Sequence, residues 1–178
     1  METTHPSSIH PARLDPDALA ADCDFRATRR SGPGGQNRNK VETAVILTHR
    51  PSGKSAQAAE RRTQGENRRA ALFRLRLKLA LEIRTPTATP KGEPYRPSKL
   101  WQRRCRDGRI TINPTHDDFP ALLAEALDVL AGSEYDPKRA ATKLGCTPSQ
   151  VIKLLKDDPR ALVLVNEERR RAGLRPLQ

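Results

Sequence analysis

Aromatic side chains are scarce in this chain: Phe, Tyr and Trp together make up 3% of 178 residues, with one tryptophan, Trp101. A single large core built on ring packing is therefore excluded, although two thin layers of Leu, Val and Ala can still close. Cysteine is nearly absent as well. Cys23, Cys105 and Cys146 are far apart and odd in number, so they outline neither a disulfide framework nor a metal-ligand spacing and read as reduced thiols. No apolar run approaches the roughly 20 residues of a membrane span, and the N-terminus has no signal-peptide core, so a cytoplasmic address is expected. No metal or cofactor is called for.

What the chain has instead is positive charge. With 33 Lys and Arg against 21 Asp and Glu, the net charge is +12, which points to a polyanionic partner. The excess is uneven. Residues 22–84 carry 15 basic and 6 acidic groups and residues 85–116 carry 7 and 2, whereas residues 117–178 carry 10 of each. Residues 22–116 face the polyanion; the last third need not.

Taken in order, residues 1–13 mix Thr, Pro, Ser and His without periodicity and are expected to be disordered. Asp15 as N-cap and Pro16 at the first helical position predict a short helix over 18–21. Residues 24–30 alternate weakly, as a strand would; a β-branched run entering at Thr43 or Ala44 predicts a second strand, and residues 54–59, after the Pro51-Ser52-Gly53 turn, a third. From 63 to 84 the signals conflict. Leu75, Leu77, Leu79, Leu81 and Ile83 alternate with mostly charged residues in a strand-like period of two, yet strong helix formers dominate, and Leu72, Leu75, Leu79 and Ile83 also make a helical stripe. Length and propensity predict one long helix. Four of the 15 prolines lie in residues 85–97, so 85–98 reads as a linker between a domain at 14–84 and a second region at 99–178. That region opens with a basic segment containing Trp101, for which core anchoring and base stacking are both open. Four helices follow, over 119–130, 137–144, 148–156 and 159–172. Three have proline after a candidate cap, at Asp136, Thr147 and Asp158, and Gly132, Gly145 and Gly173 stand where helices should stop. The expected fold is α+β: a small antiparallel sheet with a long helix, then an all-helical module.

Between the first two strands lies Ser31-Gly32-Pro33-Gly34-Gly35-Gln36-Asn37-Arg38-Asn39-Lys40. A dinucleotide fingerprint would need a third glycine where Asn37 stands, with an acidic residue following in a βαβ unit. A P-loop ending in Gly53-Lys54-Ser55 would need glycine where Thr48 stands. Both readings fail. Gly34 and Gly35 remove two Cβ atoms, so the backbone can enter a crowded cavity and reach φ values closed to other residues. Gln36 then presents a backbone N–H and a neutral amide. A preorganised N–H can stabilise an oxyanion; the amide cannot serve as a base and can only position water or ester.

These residues resemble the bacterial-type class I peptide chain release factors, whose catalytic loop reads Gly-Gly-Gln. The lead-in Arg30-Ser31-Gly32 and the tail Asn39-Lys40 match as well, and the likeness runs from about residue 22 to residue 84. Several members have His-Val where this chain has Asn37-Arg38, and Pro33 replaces the commoner alanine. The resemblance implies a helix over 63–84, the large ribosomal subunit as the polyanion, and hydrolysis of the peptidyl-tRNA ester in its peptidyl-transferase centre by Gly34, Gly35 and Gln36. It implies rRNA or tRNA contacts for Arg29, Arg30, Ser31, Arg38, Asn39 and Lys40. The basic start of the long helix, Arg61, Arg62, Arg68 and Arg69, extends that surface, and Trp101, Arg103 and Arg104 of the basic segment are further candidates. A glutamine methyltransferase acting on Gln36 joins the expected partners. Because no codon-reading tripeptide in a suitable domain is found, the chain resembles the shorter, codon-independent factors that rescue stalled ribosomes.

Ala141, Gly145 and Val151, with apolar Leu144 and Leu154, carry the spacing of a helix-turn-helix. DNA reading is disfavoured by Asp157 and Asp158 after Lys153 and Lys156 and by the balanced charge of the module; docking to the ribosome or a protein, or a structural role, stays open. A non-catalytic RNA-binding or helix-turn-helix regulatory protein is the alternative reading of the whole chain.

Overall fold

The computed structural model describes residues 9–28, 43–87 and 93–178. The fold is α+β, and the chain divides into two compact units, Leu14–Leu79 and the rest, with the division falling inside one long helix.

The first unit begins with α1 (Pro16–Ala21), capped by Asp15, whose side chain accepts from the Asp17 N–H at 3.0 Å. Three strands follow, β1 (Cys23–Thr28), β2 (Ala44–His49) and β3 (Lys54–Ala58), forming an antiparallel sheet with β2 in the centre. Val45, Leu47 and His49 of β2 and Ala58 of β3 are buried, and α2 (Gln64–Glu82) supplies Ala71, Leu75 and Leu79, all buried at a spacing of four. The chain is therefore helical where its leucines alternate. The alternating cations have their own reason: Arg74 donates to the Gln57 carbonyl at 2.8 Å and Lys78 to the Ser55 carbonyl at 3.2 Å. Those carbonyls belong to edge strand β3, and the helix side chains satisfy acceptors that an edge otherwise leaves open. Thr63 and Glu66 start α2 as a capping box, the Glu66 N–H donating to the Thr63 hydroxyl and the Thr63 N–H to the Glu66 carboxylate.

The second unit is organised by α4 (Phe119–Ala131), whose residues from Phe119 to Leu130 are all buried. Around it stand α3 (Lys99–Arg104), α5 (Pro137–Leu144), α6 (Pro148–Lys156) and α7 (Pro159–Arg171). The last three begin at the expected prolines, behind Asp136, Thr147 and Asp158, each of which accepts a backbone N–H. Ala141, Leu144, Val151 and Leu154 are buried. Gly145 sits at φ +66° and closes α5, while the Cys146 N–H reaches the Ala141 carbonyl at 3.0 Å. This is a Schellman end, and it turns the chain into α6 as the helix-turn-helix spacing predicts. Gly132 is different. Its φ is −70°, so the conformation does not demand glycine; a Cβ there would collide with the Thr87 hydroxyl oxygen.

Trp101 is 1% exposed, and its indole N–H donates to the Leu144 carbonyl at 2.8 Å. The ring anchors α3 against the end of α5 and cannot stack on a base, which corrects its place among the candidate RNA contacts. Between α3 and α4 lies a hairpin the sequence reading did not resolve, β4 (Cys105–Arg106) and β5 (Arg109–Ile110), joined by Asp107 and Gly108 at φ +50° and +72°. Two consecutive positive φ values mark the primed turn that an Asp-Gly pair favours. Its strands are only two residues long, too short to leave a periodic signal.

Two carboxylates lie inside the apolar wall of α4. Glu125 accepts from the Ser98 N–H at 2.7 Å, the Ser98 hydroxyl at 2.5 Å and the Tyr95 hydroxyl at 3.0 Å. Asp128 accepts from the Thr85 N–H at 2.9 Å. The described ends of the Pro-rich stretch are thus fastened to α4, although their composition reads as a tether.

The N-terminal expectation is corrected in part. Pro11–Arg13 form a 3-10 turn, and His10 and Ala12 are fully buried. His10 Nδ1 accepts from the Ala12 N–H at 3.0 Å, which leaves Nε2 to donate to the Ile83 carbonyl at 3.2 Å. Together with Arg84, which donates to the Ala80 and Leu81 carbonyls at 2.7 Å each, it satisfies acceptors at the C-terminal end of α2. Composition could not announce this, because a single imidazole does the ordering.

Burial pushes His10 down from 6.5 to about 4 and Asp128 up from 3.8 to about 6. The two act with opposite signs. The depressed His10 favours the fold above pH 6.5, and that contribution is lost as pH falls toward about 4. The raised Asp128 favours the fold at low pH, and its contribution is lost as pH rises through about 6. His10→Ala should cost about 1–3 kcal/mol at pH 7, where the buried Ala12 N–H loses its partner and the Ile83 carbonyl loses one of its two donors, and less as pH approaches 4.5. Urea unfolding followed by the fluorescence of Trp101, which lies in the same unit, measures this; a penalty that grows on acidification would contradict the assignment.

Candidate functional site

The glycine-rich segment lies between β1 and β2, whose ladder ends at Thr28↔Ala44. Directly opposed residues of an antiparallel pair stand about 4.5–5.5 Å apart at Cα, so the two strands hold both ends of the intervening residues close together. Residues 29–42, and with them Gly34, Gly35, Gln36, Arg29, Arg30, Ser31, Arg38, Asn39 and Lys40, lie outside the described residues. What the structure supplies is their mount.

That mount has a third fixed point. The side chain of Asn67, fully buried in the first turns of α2, donates to the Thr43 carbonyl at 2.7 Å and the Arg61 carbonyl at 3.1 Å. Its Oδ1 accepts from the Arg61 N–H at 2.9 Å. One amide therefore ties the last residue before β2 to the β3–α2 turn and to the helix. Residue-by-residue reading missed Asn67, although a signal exists: it is the one asparagine in a helix of strong helix formers, and asparagine is unfavourable there unless its side chain bonds backbone.

The candidate cations of this unit gather around the same point. Arg61, Arg62, Arg68 and Arg69 are all exposed, on the turn into α2 and on its first two turns. The Arg68 guanidinium lies over the Phe25 ring, 5.8 Å from its centroid, and Phe25 itself is 46% exposed on edge strand β1. Among the described residues no hydrogen bond or ion pair engages the side chains of Arg62 and Arg69. Elsewhere in the unit Arg50 is held by Asp24 and the Ala21 carbonyl, and Arg74 by Glu60. The exposed, uncommitted cations thus cluster near the mount.

The candidates of the second unit separate. Arg103 is exposed. Arg104 donates to Asp118 from Nε at 3.0 Å and from a terminal nitrogen at 2.7 Å, and it also meets His116 at 2.9 Å. Its fork is already filled by a carboxylate. Trp101 is buried, as described. Among the described residues no cluster of three or more His, Cys, Asp or Glu could hold a metal ion, and no helix is long and apolar enough to cross a membrane. The thiols of Cys23, Cys105 and Cys146 are all raised by burial, Cys146 to about 12, so none is poised as a thiolate nucleophile.

Asn67 can be tested against this geometry. Asn67→Ala strands two carbonyls and one N–H and should destabilise the unit by about 2–4 kcal/mol. Asn67→Asp should be at least as harmful at neutral pH, because a buried carboxylate would face the same two carbonyl oxygens. Far-ultraviolet dichroism during thermal unfolding reads both, and an aspartate variant as stable as wild type would refute the donor role.

Residues 15–108 match the family model described as the RF-1 domain. The match runs well beyond residue 84, where the resemblance seen by motif ended, and takes in α3 and the first strand of the hairpin, ending at its Asp107-Gly108 turn. Among curated relatives, the chloroplastic peptide chain release factor PrfB1 of Arabidopsis thaliana is 47% identical over 68 residues, 38% of this chain and 15% of that protein. Peptide chain release factor 1 of Xylella fastidiosa is 33% identical over 135 residues, 69% of this chain and 35% of the relative. That of Acidiphilium cryptum is 37% identical over 151 residues, 75% and 43%. The chain thus spans less than half the length of these relatives. The glycine-flanked glutamine, the ladder that mounts it and the match over more than half of the residues agree, and the chain belongs to the class I peptide chain release factor family.

Proposed function

We propose that this protein hydrolyses the ester of peptidyl-tRNA in the peptidyl-transferase centre of the large ribosomal subunit. The observation that carries the reading is Gly34-Gly35-Gln36 in a segment whose ends are held by the Thr28↔Ala44 pair and the Asn67–Thr43 bond. A loop that must enter an RNA cavity benefits from a rigid base, because positioning is the only chemistry a neutral amide can offer. In the proposed reaction a water oxygen attacks the ester carbonyl, and the Gln36 N–H stabilises the oxyanion. The bond to the tRNA ribose oxygen breaks, that oxygen takes up a proton, and a free peptide carboxyl and tRNA result. The Gln36 amide orients the water. Arg29, Arg30, Ser31, Arg38, Asn39 and Lys40 bind the phosphates around the loop, and Arg61, Arg62, Arg68 and Arg69 carry the same surface onto α2.

The finer proposal is that release needs no codon and serves ribosomes stalled in translation. It is supported by the balanced charge of residues 117–178, which provides no polyanion-binding excess for reading a message. Gln36 is in this reading also the target of a glutamine methyltransferase. The regulatory alternative retains one supporting feature, the helix-turn-helix geometry of α5 and α6, and would be favoured by an affinity for duplex DNA above that for large subunits.

Release of labelled peptide from purified ribosome complexes tests the proposal. Gln36→Ala should slow release at least about tenfold with binding intact, and Gln36→Pro, which also removes the N–H, by about 10²- to 10³-fold. Release by Gln36→Ala at the wild-type rate would sink the catalytic claim. Complexes with a stop codon, a sense codon or a truncated message in the decoding site should react alike; dependence on a stop codon would remove the codon-independent part alone.

A further inference from the structure

The basic segment before α4 holds more than a count of charges. Arg96, Lys99, Arg103, Arg106 and Arg109 recur at intervals of three or four, and all five are exposed. Among the described residues no hydrogen bond or ion pair engages their side chains. Several arginines of the same unit are already engaged, Arg104 by Asp118, Arg139 by Glu134, Arg160 by Asp158 and Arg171 by Glu168.

Two of the five are held opposite each other. Arg106 and Arg109 form the cross-strand pair next to the Asp107-Gly108 turn. Directly opposed side chains of an antiparallel pair lie on the same face with Cα atoms about 4.5–5.5 Å apart, and like charges so placed repel. The hairpin cannot relax freely. The Thr147 N–H donates to the Gly108 carbonyl at 3.2 Å, the Ile110 N–H to the Gln150 side chain at 3.0 Å, and the Thr111 N–H to the Arg104 carbonyl at 2.9 Å. Cys105 and Ile110 occupy the other face, where Ile110 is buried. The fold therefore places two exposed arginines at directly opposed positions on one face of the hairpin, and no counter-ion among the described residues engages them.

We propose that Arg106 and Arg109 form a phosphate clamp for an RNA backbone, with Arg103 as the adjoining contact. Two planar forks carried at directly opposed positions can converge on the oxygens of a phosphodiester, and an anion between them removes the repulsion. A polyanion with regularly spaced charge is favoured over a protein surface because no large exposed apolar side chain accompanies the row. The exposed ones among the described residues are Ile9, Phe25, Val163 and Leu174. The clamp replaces Trp101 and Arg104, which the fold commits elsewhere. It does not depend on Gln36, and only the assignment of its physiological RNA to the ribosome rests on the function proposed above.

The test uses the full chain and a fluorescently labelled, mixed-sequence RNA hairpin, with anisotropy measured over a range of salt. Arg106→Ala/Arg109→Ala should weaken binding roughly tenfold near physiological salt and flatten the dependence of log affinity on log salt by about two, one for each phosphate no longer neutralised. Arg106→Lys/Arg109→Lys should keep most of the salt slope. Arg139→Ala/Arg171→Ala, which deletes two exposed arginines already paired with carboxylates, should change neither quantity. Unchanged affinity and slope in the first variant overturns the clamp, as does an equal loss in the Arg139/Arg171 control. Tighter binding to a DNA duplex of the same sequence, or to a polyglutamate peptide, overturns its assignment to RNA. In peptide release the Arg106→Ala/Arg109→Ala variant should need more ribosome to reach the wild-type maximal rate, whereas Gln36→Ala should lower that rate and leave RNA affinity intact. A lowered maximal rate in the arginine variant would contradict a pure binding role, and a null result for Gln36→Ala would remove the catalytic reading while leaving the clamp standing.

Discussion

The sheet unit depends on one buried side-chain amide. Asn67 is fully enclosed, yet its oxygen and nitrogen are paired with backbone groups of Arg61 and Thr43. An unpaired amide in that position would cost more than the bonds gain, so the arrangement is close to all-or-none. Its consequence is geometric. The residue preceding β2, the turn leaving β3 and the first turns of α2 are obliged to meet at one point, and the Thr28↔Ala44 pair beside it joins the end of β1 to the start of β2. The function proposed for the segment around Gln36 rests on a neutral amide, and a segment acting in that way needs such a base more than one carrying a strong acid or base would. Its rate contribution comes from placement, and placement degrades with every loose joint beneath it.

The helical unit shows the same economy in another form. A helix buried on all sides should be apolar, yet α4 carries Glu125 and Asp128. Each is matched to donors on the Pro-rich stretch, through Ser98 and Tyr95 in one case and Thr85 in the other. Buried carboxylates are tolerable only when so matched. The pairing fixes the described residues at either end of that stretch against the helix, which their composition alone would not impose.

These features also mark what could be read in the chain beforehand. The helices α5, α6 and α7 were legible nearly to the residue because each begins with a polar cap and a proline, and the cap, turn glycine and apolar spacing are all local. The long helix was legible by propensity against a misleading period of two. That period has its cause in tertiary structure, the cations of Arg74 and Lys78 reaching carbonyls of an edge strand. Ser98 and Glu125 are 27 positions apart and Asn67 and Thr43 are 24 apart, so no window of sequence contains both partners. His10 sits in a stretch that looks structureless and is ordered by a bond to Ile83, 73 positions away. The motif around Gln36 was readable as sequence, whereas the residue that anchors its mount was not.

Charge shows the limit of counting most clearly. A net excess says that a polyanion is favoured, but a cation already facing a carboxylate has little left to offer one. Arg103, Arg104, Arg106 and Arg109 are equal in the sequence, and the fold separates them: Arg104 is closed by Asp118, while Arg106 and Arg109 are opposed across a two-residue turn. The distinction arises from where the chain reverses, at Asp107 and Gly108, and from which side of a short ladder meets α6. A basic run therefore becomes a surface only through its pairing, and the residues available to an RNA are those whose local partners the backbone has withheld.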